Sequence, residues 1–369
     1  FNDNIAPERL LRYLEASTGE RIIPGETLII FDEIQSSERA LTALKYFCEE
    51  TPEYHIAAAG SLLGVAINRQ HYSFPVGKVE TLTLYPLDFE EYLGARSQKL
   101  LSEEIRRAYE KMEPLPDALH QKAIELYREY LLIGGMPACI NAFLKSGSFL
   151  DVPLVQNEIL DNYIADMAKY ASNTDSVKIR ACYNSIPAQL AKDNKKFQYK
   201  VVQKGGSAAL FGASIEWLNL AGVVLKCQRI NQAFEPIAVY ADLSAFKLYM
   251  GDVGLLTMKS GLSQQTVLSG EGNTFMGAVT ENYVAQQLAA KSYDLYYWES
   301  SSTAELDFVL QKGNQIIGIE VKKGEHVRSR SLSVFVDSYK PAYSVRLSLK
   351  NFGEKDGLKS VPLYAAFCI

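Results

Sequence analysis

The sequence predicts an α/β protein that begins with a parallel sheet. Two short apolar runs, Leu28–Phe31 and His55–Ala59, flank a helical pattern over residues 37–50. The order strand, helix, strand is typical of a parallel sheet, because parallel strands need a long crossover connection. Four apolar residues in a row, bounded by turn residues and an acidic pair, are also typical of a strand that is buried on both faces.

Helical spacing of apolar residues dominates the neighbouring segments. Before the first strand, residues 8–18 carry one apolar stripe. After a predicted third strand at residues 80–84, the pattern is helical from about residue 86 to residue 170. Gly and Pro residues interrupt these helices, notably at Gly134–Pro137. A helical layer is therefore expected after the parallel sheet.

Residues 176–235 are predicted to form a small separate unit. Two helical patterns, at residues 179–191 and 208–220, precede an apolar strand at residues 223–227. Helices followed by a short hairpin are typical of a winged helix, which binds DNA in some proteins and only packs against other domains in others. The rest of the chain alternates strand patterns with one strong helix at residues 280–291, so a second α/β region is expected there.

Composition excludes several classes of protein. The 369 residues include 38 Lys and Arg and 43 Asp and Glu, with a net charge of −5, and 47% are hydrophobic, which excludes a disordered or collagen-like chain. The five cysteines form no C-x-x-C motif, so neither a disulfide framework nor a zinc ribbon is expected. Apolar runs are too short to span a membrane and no signal peptide is visible, so we expect a cytoplasmic protein.

Positive charge is concentrated in two segments. Between Gln311 and Lys359 there are ten Lys and Arg residues and five Asp and Glu residues. A second basic run consists of Lys192, Lys195, Lys196, Lys200 and Lys204. Such segments bind phosphate groups in some proteins and are ordinary solvated surface in others. Nucleic acid is therefore one candidate partner.

The first predicted strand ends in an acidic pair with the form of a Walker B motif. The strand Leu28–Phe31 is followed directly by Asp32 and Glu33. A buried strand holds the residues at its end rigidly at the carboxyl edge of the sheet, where open α/β sheets bind ligands. In nucleotide hydrolysis, Asp32 would hold Mg²⁺ through its water shell, and Glu33 would orient or deprotonate the attacking water.

Two further residues fit ATP chemistry near that edge. Ser61 follows the second strand, where ATPases of the AAA+ kind have a polar sensor for the γ-phosphate; the alternative is an ordinary helix N-cap or turn residue. Lys78 lies before the third predicted strand, in a region where a cation acting on a neighbouring active site is expected. Both residues are therefore candidate nucleotide contacts.

The phosphate-binding loop G-x-x-x-x-G-K-[ST] does not occur in the 369 residues. In P-loop proteins, the backbone N–H groups and the lysine of this loop hold the phosphates. We therefore expect this polypeptide by itself to bind ATP poorly. Because the chain begins with Phe1 rather than Met, we expect the loop in an upstream segment.

A second candidate site lies in a predicted hairpin near the C-terminus. Residues 304–310 and 315–322 alternate polar and apolar side chains around a Lys-Gly-Asn turn. The strand period of two puts Glu320 and Lys322 on one face, and adjacent strands can bring Asp307 beside them. An acidic residue followed by E-x-K on the next strand is the PD-(D/E)xK arrangement of nucleases.

The chemistry of that arrangement depends on a divalent cation. Two carboxylates hold Mg²⁺ against the scissile phosphate, and the lysine positions or activates the water. We expect Asp307, Glu320 and the helix residue Glu281 as metal ligands, with Lys322 as the catalytic lysine. The alternatives are an exposed hairpin with paired charges, and a nuclease-like domain that serves only for binding or docking.

These motifs together resemble those of a family of prokaryotic AAA+-like P-loop ATPases. The matching segments are L-I-I-F-D-E-I-Q at 28–35, A-A-G-S-L-L-G at 58–64, Y-P-L-D-F-E-E-Y-L at 85–93, G-G-M-P at 134–137 and D-V-G-L-L at 252–256. Members end in a domain of unknown function with a restriction-endonuclease-like core, which D-V-G-L-L and residues 305–322 resemble. The resemblance covers nearly the whole chain and implies ATP and Mg²⁺ as cofactors.

The chain departs from this family in two respects. Members have an intact phosphate-binding loop upstream of the position where this chain begins. Members also often have Gly-Arg where this chain has Gly77 and Lys78. Lysine lacks the planar fork of arginine, so an arginine-finger role at this position is not expected to carry over unchanged.

The resemblance and the local patterns together predict four parts. These are an AAA+-like ATPase core without the phosphate-binding loop (1–95), a helical lid (96–175), a winged-helix-like unit (176–238) and a restriction-endonuclease-like α/β domain (239–369). The leading hypothesis is an ATPase whose C-terminal domain binds nucleic acid, a protein partner or a second copy of the chain. The alternatives are a Mg²⁺-dependent nuclease regulated by the ATPase part, and a non-catalytic interaction module.

Overall fold

The computed structural model describes residues 1, 4–61, 75, 77–171, 173–270, 273–300, 304–324 and 330–369. They form two compact units, one of residues 1–84 with 216–222 and the other of residues 85–215 with 223–369. Helices and strands of both units make the chain a mixed α/β protein, as predicted. The finer division at residues 95, 175 and 238 stays a prediction.

The first unit contains the predicted parallel strand pair. Its elements are α1 (Pro7–Thr18), β1 (Leu28–Phe31), α2 (Glu38–Glu50) and β2 (His55–Ala58). Strand β1 pairs with β2 in parallel, from Leu28 opposite His55 to Phe31 opposite Ala58. Helix α2 begins after Ser37, whose side chain accepts a hydrogen bond from the Ala40 N–H and caps the helix. The four predicted elements are thus confirmed.

The expectation that β1 is buried on both faces is wrong. Ile29 and Phe31 pack against α1 and α2 through Leu10, Leu11 and Phe47. Leu28 and Ile30 are 57% and 63% exposed. Because successive strand residues point to opposite faces, helices that pack on one face leave the alternate residues uncovered.

The predicted third strand at residues 80–84 is also wrong. These residues form no strand, and the side chains of Leu82 and Leu84 are 88% and 99% exposed. A strand needs a partner that satisfies its backbone hydrogen bonds, and within the described residues the sheet of this unit consists of β1 and β2 alone. A helix capped by Ser61, the alternative role of that residue, would lie outside the described residues.

Helices fill most of the sequence from residue 86 to residue 190, as predicted. The remaining helices of the chain are α3 (Phe89–Ala95), α4 (Lys99–Lys111), α5 (Asp117–Ile133), α6 (Pro137–Ser146), α7 (Val152–Tyr170), α8 (Asn173–Leu190), α9 (Tyr199–Val202), α10 (Ala208–Leu220), α11 (Val253–Ser260), α12 (Gln264–Ser269), α13 (Met276–Ala290) and α14 (Arg330–Tyr339). Three of the later helices, α11, α12 and α14, were not predicted. Helix α3 begins at a capping box in which Asp88 and Glu91 each accept a hydrogen bond from the backbone N–H of the other.

Two of the recognised sequence motifs bind each other in the second unit. Asp252 caps α11 through the Leu255 N–H (2.9 Å) and also accepts a hydrogen bond from the Gly135 N–H (2.6 Å). A Cβ at Gly134, where φ is +77°, would lie 2.2 Å from Asp252 Oδ1. Only glycine fits this close approach, so the G-G-M-P and D-V-G-L-L segments form one structural joint.

The second unit is built around an eight-stranded mixed sheet. Its strands are β3 (Val224–Ile230), β4 (Ala241–Met250), β5 (Tyr296–Glu299), β6 (Glu305–Lys312), β7 (Gln315–Val321), β8 (Ser344–Ser348), β9 (Gly353–Lys355) and β10 (Leu358–Pro362). The spatial order is β4-β3-β5-β6-β7-β8-β10-β9. The predicted β6–β7 hairpin is confirmed, with Lys312 opposite Gln315 around its turn.

Strands β3 and β4 form the hairpin expected of the winged-helix-like unit. They pair antiparallel, but β3 also pairs in parallel with β5. The hairpin therefore belongs to the same sheet as the E-x-K strand. A winged helix stays a prediction, but its expected hairpin is not separate from this sheet.

Helices α13 and α14 lie on opposite faces of this sheet. Phe335 of α14 packs with Leu306 and Val309, and a Cβ at Gly318 would lie 2.7 Å from the Phe335 ring. Helix α13 crosses the other face, where Asn282 exchanges hydrogen bonds with the backbone N–H (2.8 Å) and C=O (3.0 Å) of Met250. This contact fixes α13 against the end of the edge strand β4.

No helix within the described residues is long and apolar enough to cross a membrane.

Candidate functional site

The Walker B candidates lie at the carboxyl edge of the parallel strand pair. Asp32 directly follows β1, and Ser61 lies three residues after the end of β2. The Ala59 N–H donates to Phe31 O (2.8 Å), and the Ile34 N–H donates to Ala59 O (3.0 Å), so the chain segments beyond both strands stay joined. Asp32, Glu33 and Ser61 are all exposed.

Glu33 is held in a defined conformation by its neighbours. Its backbone is left-handed, with φ at 50°, and its N–H donates to Asp32 Oδ1 (3.0 Å). Its carboxylate accepts a hydrogen bond from Nε2 of the buried Gln35 (2.6 Å). A non-glycine residue in this backbone region is uncommon and occurs often at functional sites.

Lys78 contacts the helix that follows β1. Its ammonium forms an ion pair with Glu49 near the end of α2, at 3.0 Å between Nζ and Oε1. Both side chains are more than a third exposed, so the pair contributes little to stability. A phosphate-binding role of Lys78 stays a prediction.

The donor chemistry of this edge fits a hydrated magnesium ion. Asp32 presents an exposed carboxylate of which one oxygen accepts the Glu33 N–H. Carboxylate oxygens and water are the ligands that Mg²⁺ prefers. Asp32 would hold such an ion through water, and the ion would neutralise charge on the phosphates.

The second candidate site lies where α13 crosses β4 and β6. Glu281 of α13 and Asp307 of β6 lie close together, and each affects the pKa of the other. Asp307 Oδ2 accepts a hydrogen bond from the Val321 N–H (2.8 Å), and Glu281 Oε2 accepts one from the Tyr249 hydroxyl (3.1 Å). The structure thus joins two of the three carboxylates expected here.

Two lysines occupy the space around this carboxyl pair. Lys195, from the loop between α8 and α9, binds Glu281 Oε1 directly. Lys247 of β4 lies 2.5 Å from Glu305 Oε1 and 3.9 Å from Glu281 Oε2, and only 1% of its side chain is exposed. The carboxylates are therefore neutralised by the protein's own cations.

Burial and charge set the protonation of this network. Burial and the neighbouring Glu281 raise the pKa of Asp307. Burial alone would raise the pKa of Glu281 as well, but Lys247 and Lys195 outweigh burial and lower it. Burial opposes the charge on Lys247, yet Glu281, Glu305 and Asp307 raise the pKa of its ammonium and keep it protonated.

Glu320 and Lys322 form a separate group with Arg346. Glu320 is 2% exposed and binds the Lys322 ammonium (Oε1–Nζ, 3.2 Å) and the Arg346 guanidinium (Oε2–Nε, 3.2 Å). Gly318, two residues earlier on the same strand face, packs under Phe335 of α14. Glu320 therefore lies on the α14 face, whereas Asp307 contacts α13 on the other face.

A β-bulge in β6 causes this separation. Against β5, the step from Tyr296 to Trp298 spans two residues, whereas the opposite step from Val309 to Leu306 spans three. The extra residue reverses the alternation, so Asp307 points to α13 instead of standing beside Glu320. A strict period of two, on which the sequence prediction depended, does not anticipate a bulge.

The expected three-carboxylate magnesium site is not formed by this arrangement. Within the described parts of the chain, no group of three or more His, Cys, Asp and Glu side chains has the geometry to hold a metal ion. Lys195 takes one Glu281 oxygen, and Glu320 is bound by two cations on the opposite face. The C-terminal residues therefore do not fit a bound metal as they stand.

Sequence reasoning missed several residues of the two sites. Gln35 gives no signal in the sequence, because its role depends on a backbone turn at Glu33. Lys195 was noted only as part of a basic run. Lys247 does give a signal, since a lysine inside the apolar strand segment Phe246–Met250 indicates a buried and paired charge.

Three family models match separate parts of this chain. An "AAA domain" matches residues 2–93, and two models described as "Domain of unknown function" match residues 124–266 (DUF8612) and 276–366 (DUF4143). The first match contains Asp32, Glu33, Ser61 and Lys78. Residues 2–93 are thus similar to an AAA domain, which agrees with the ATPase-like fold that the sequence motifs predicted.

Similar proteins cover only part of this chain. Uncharacterized proteins of Mycobacterium tuberculosis and Mycobacterium bovis are each 37% identical over 79 residues, which is 21% of this chain and 18% of the relative. The Walker-type ATPase of Pyrococcus abyssi is 14% identical, with a TM-score of 0.40 over 68% of this chain and 66% of that chain. A TM-score at this level does not establish a shared fold.

Proposed function

We propose that this protein binds and hydrolyses ATP with Mg²⁺, and that the AAA-like segment supplies the Walker B part of the site. Asp32 would hold the hydrated ion, Glu33 would orient the attacking water, and Ser61 would contact the γ-phosphate. Lys78 would contribute a positive charge near the nucleotide of a neighbouring subunit. The observation that carries the proposal is the parallel β1–β2 pair, whose carboxyl ends are followed directly by Asp32 and, three residues on, by Ser61.

The proposal requires a phosphate-binding loop from outside these 369 residues, because G-x-x-x-x-G-K-[ST] is not among them. ATP would then be held between that loop and the carboxyl edge of β1 and β2. Glu33 is suited to orient water, because Gln35 fixes its carboxylate (2.6 Å) and the side chain remains exposed.

ATP turnover by the full natural protein tests this proposal. Glu33→Gln removes the charge that orients water, and we expect a fall in kcat of about 100-fold, in the range of general-base catalysis. Glu38→Gln is the matched control, since Glu38 is exposed in the first turn of α2 and should leave kcat unchanged. Equal turnover by the Glu33 variant and the control would contradict the Walker B assignment.

For residues 239–369 we propose a restriction-endonuclease-like domain that binds nucleic acid or a protein partner. Its support is the β6–β7 hairpin, which carries Asp307 and Glu320, with Lys322 directly after it, beside a helix that carries Glu281. The excess of Lys and Arg between Gln311 and Lys359 favours nucleic acid. Salt-dependent binding of a labelled DNA or RNA duplex, weakened by Lys322→Ala, would support this assignment.

Mg²⁺-dependent cleavage is the second candidate function of this domain. It predicts that DNA or RNA is cut and that Asp307→Ala or Lys322→Ala abolishes cutting. Because Lys195 and Lys247 pair with Glu281 in this structure, cleavage would first require the release of this carboxylate. Binding without cleavage at high protein concentration would leave a docking module, and loss of both would reject the domain's proposed role.

A further inference from the structure

A groove with a volume of about 190 Å³ runs between α14 and the strands β8 and β10. Ser344 of β8 lies opposite Gly318 of β7 and Leu358 of β10. Gly318 packs under Phe335 of α14, and side chains at one register position share a sheet face, so Ser344 lies on the α14 face. Arg346 follows two residues later on the same face, and both residues line the groove.

The hydroxyl of Ser344 is buried and makes no hydrogen bond among the described residues. Ser344 is 2% exposed, and its Oγ has no partner there. By contrast, the hydroxyl of Ser348, the other buried serine of β8, accepts a hydrogen bond from the Lys350 N–H at 3.2 Å. Buried polar groups without a partner are rare, because their desolvation is not compensated. A hydroxyl of this kind in the wall of a groove points to a ligand that bonds to it.

The guanidinium of Arg346 is the second polar group of the groove. Its side chain is 19% exposed, and its Nε donates to Glu320 Oε2 at 3.2 Å. The two terminal nitrogen atoms make no hydrogen bond within the described part of the chain. Their N–H groups form a planar fork, which matches the oxygens of a carboxylate or a phosphate. Arg346 and Ser344 together therefore present hydrogen-bond donors to an oxyanion.

The charges at the groove favour a ligand with a single negative charge. Lys322 and Arg346 both bind Glu320, and two cations with one anion give a formal charge of +1. A carboxylate would neutralise this charge, whereas a phosphate dianion would exceed it. Asp356 also lines the groove, and by the β8–β10 register it lies four residues from Arg346 along the strands, or roughly 13 Å. Its carboxylate disfavours a second anionic group on the ligand.

The rest of the wall is largely apolar, and the space is small. Leu332 and Val336 of α14, Leu358 of β10 and Pro341 line it. Pockets for drug-sized ligands span about 300–1,000 Å³, so a groove of 190 Å³ admits only a smaller molecule. Apolar walls favour a hydrocarbon body over the polar sugar and phosphate groups of a nucleic-acid backbone.

We propose that this groove binds a small carboxylic acid with a short hydrocarbon body. The Arg346 guanidinium and the Ser344 hydroxyl donate to the carboxylate, and the hydrocarbon body packs against the apolar wall. The site is additional to the ATP and nucleic-acid roles proposed above and does not depend on them. It lies on the sheet face opposite to Glu281 and Asp307.

Titration of the full chain with hexanoate, followed by saturation-transfer NMR of the ligand, tests the proposal. We expect hexanoate to bind with a Kd of about 1 mM or tighter, and hexanamide, a neutral analogue of the same shape, to bind about 10-fold more weakly. Equal affinities of the two, or no binding of hexanoate up to about 10 mM, would overturn the proposal. Tighter binding of hexyl phosphate than of hexanoate would overturn the assignment to a carboxylate.

A variant of Arg346 places the binding in the groove. Arg346→Lys keeps a cation beside Glu320 but loses the planar fork, so we expect hexanoate to bind about 10-fold more weakly. Arg330→Lys is the matched control, because Arg330 is exposed on α14 and does not line the groove. Its affinity for hexanoate should equal that of the native protein. Native affinity in Arg346→Lys would show that hexanoate binds elsewhere and would overturn the site.

Ser344→Ala distinguishes a serine that binds a ligand from one that only stabilises the fold. The change removes a hydroxyl without a partner, so we expect hexanoate to bind about 5-fold more weakly while the urea midpoint of the ligand-free protein stays the same or rises. Ser338→Ala, on the exposed side of α14, should leave the affinity and the midpoint unchanged. A lower midpoint with native affinity for hexanoate would show a structural role of Ser344 and overturn its part in the site.

Discussion

The two acidic pairs of this protein differ in whether their negative charge is exposed to solvent or paired with cations of the protein. Asp32 and Glu33 follow a strand at an open sheet edge, exposed and held only by a backbone N–H and by Gln35. Glu281 and Asp307 lie between a helix and a sheet; two lysines and a tyrosine bind Glu281, and the Val321 N–H donates to Asp307. Exposed carboxylates remain available to a ligand, whereas buried ones must be neutralised by the protein itself.

The largest effect that would sharpen this contrast is expected at Lys247. Lys247→Met leaves Glu281 and Glu305 buried or half-buried without their cation, and removal of one partner of a buried pair costs about 3–5 kcal/mol. Urea unfolding of the chain measures the loss. Lys355→Met, at an exposed position of β9, should cost less than about 0.5 kcal/mol. If both variants lose the same free energy of unfolding, Lys247 does not neutralise the carboxylates of Glu281 and Glu305.

A substitution at Gly134 tests whether the buried carboxylate of Asp252 also stabilises the fold. In Gly134→Ala the new Cβ would lie 2.2 Å from Asp252 Oδ1, so we expect a loss of about 2–4 kcal/mol in the free energy of unfolding. Gly147→Ala is the matched control, since φ is +67° there but no atom lies within 4 Å of the new Cβ. It should cost about 1–2 kcal/mol. If Gly134→Ala loses less free energy of unfolding than Gly147→Ala, the close contact between Gly134 and Asp252 does not contribute to stability.

The smallest effect concerns the open pair and is kinetic. Gln35→Met removes the hydrogen bond to the Glu33 carboxylate but keeps the buried volume. We expect kcat for ATP in the full protein to fall about 10-fold, or 1.4 kcal/mol, with KM unchanged, because Gln35 positions Glu33 and does not touch the nucleotide. A rise in KM at constant kcat would show a different role.

Sequence patterns predicted the helices and strands better than the burial of their side chains. The apolar run Leu28–Phe31 correctly indicated a parallel strand, but not that Leu28 and Ile30 would be exposed. Run length reports the tendency to form a strand, whereas burial depends on where α1 and α2 pack. The strand predicted at residues 80–84 does not form, because its residues have no partner strand among the described residues.

The C-terminal site shows where local reasoning stopped. The acid-and-E-x-K pattern and the nearby helix predicted one site of Asp307, Glu320, Lys322 and Glu281, and in the structure Glu281 and Asp307 affect the pKa of each other. A single extra residue in β6 then turned Asp307 away from Glu320. Lys195 and Lys247 come from positions 112 and 60 residues before Asp307, so no local spacing relates them to it.

The sequence by itself determined the α/β class, most helices and strands, and the acidic pair after β1, because these depend on apolar periodicity and on neighbours along the chain. The tertiary structure decided which acids are accessible and which are neutralised. Accessibility and charge pairing arise between residues distant in sequence. One bulge and one loop were enough to replace an expected metal site with a lysine-closed carboxyl pair.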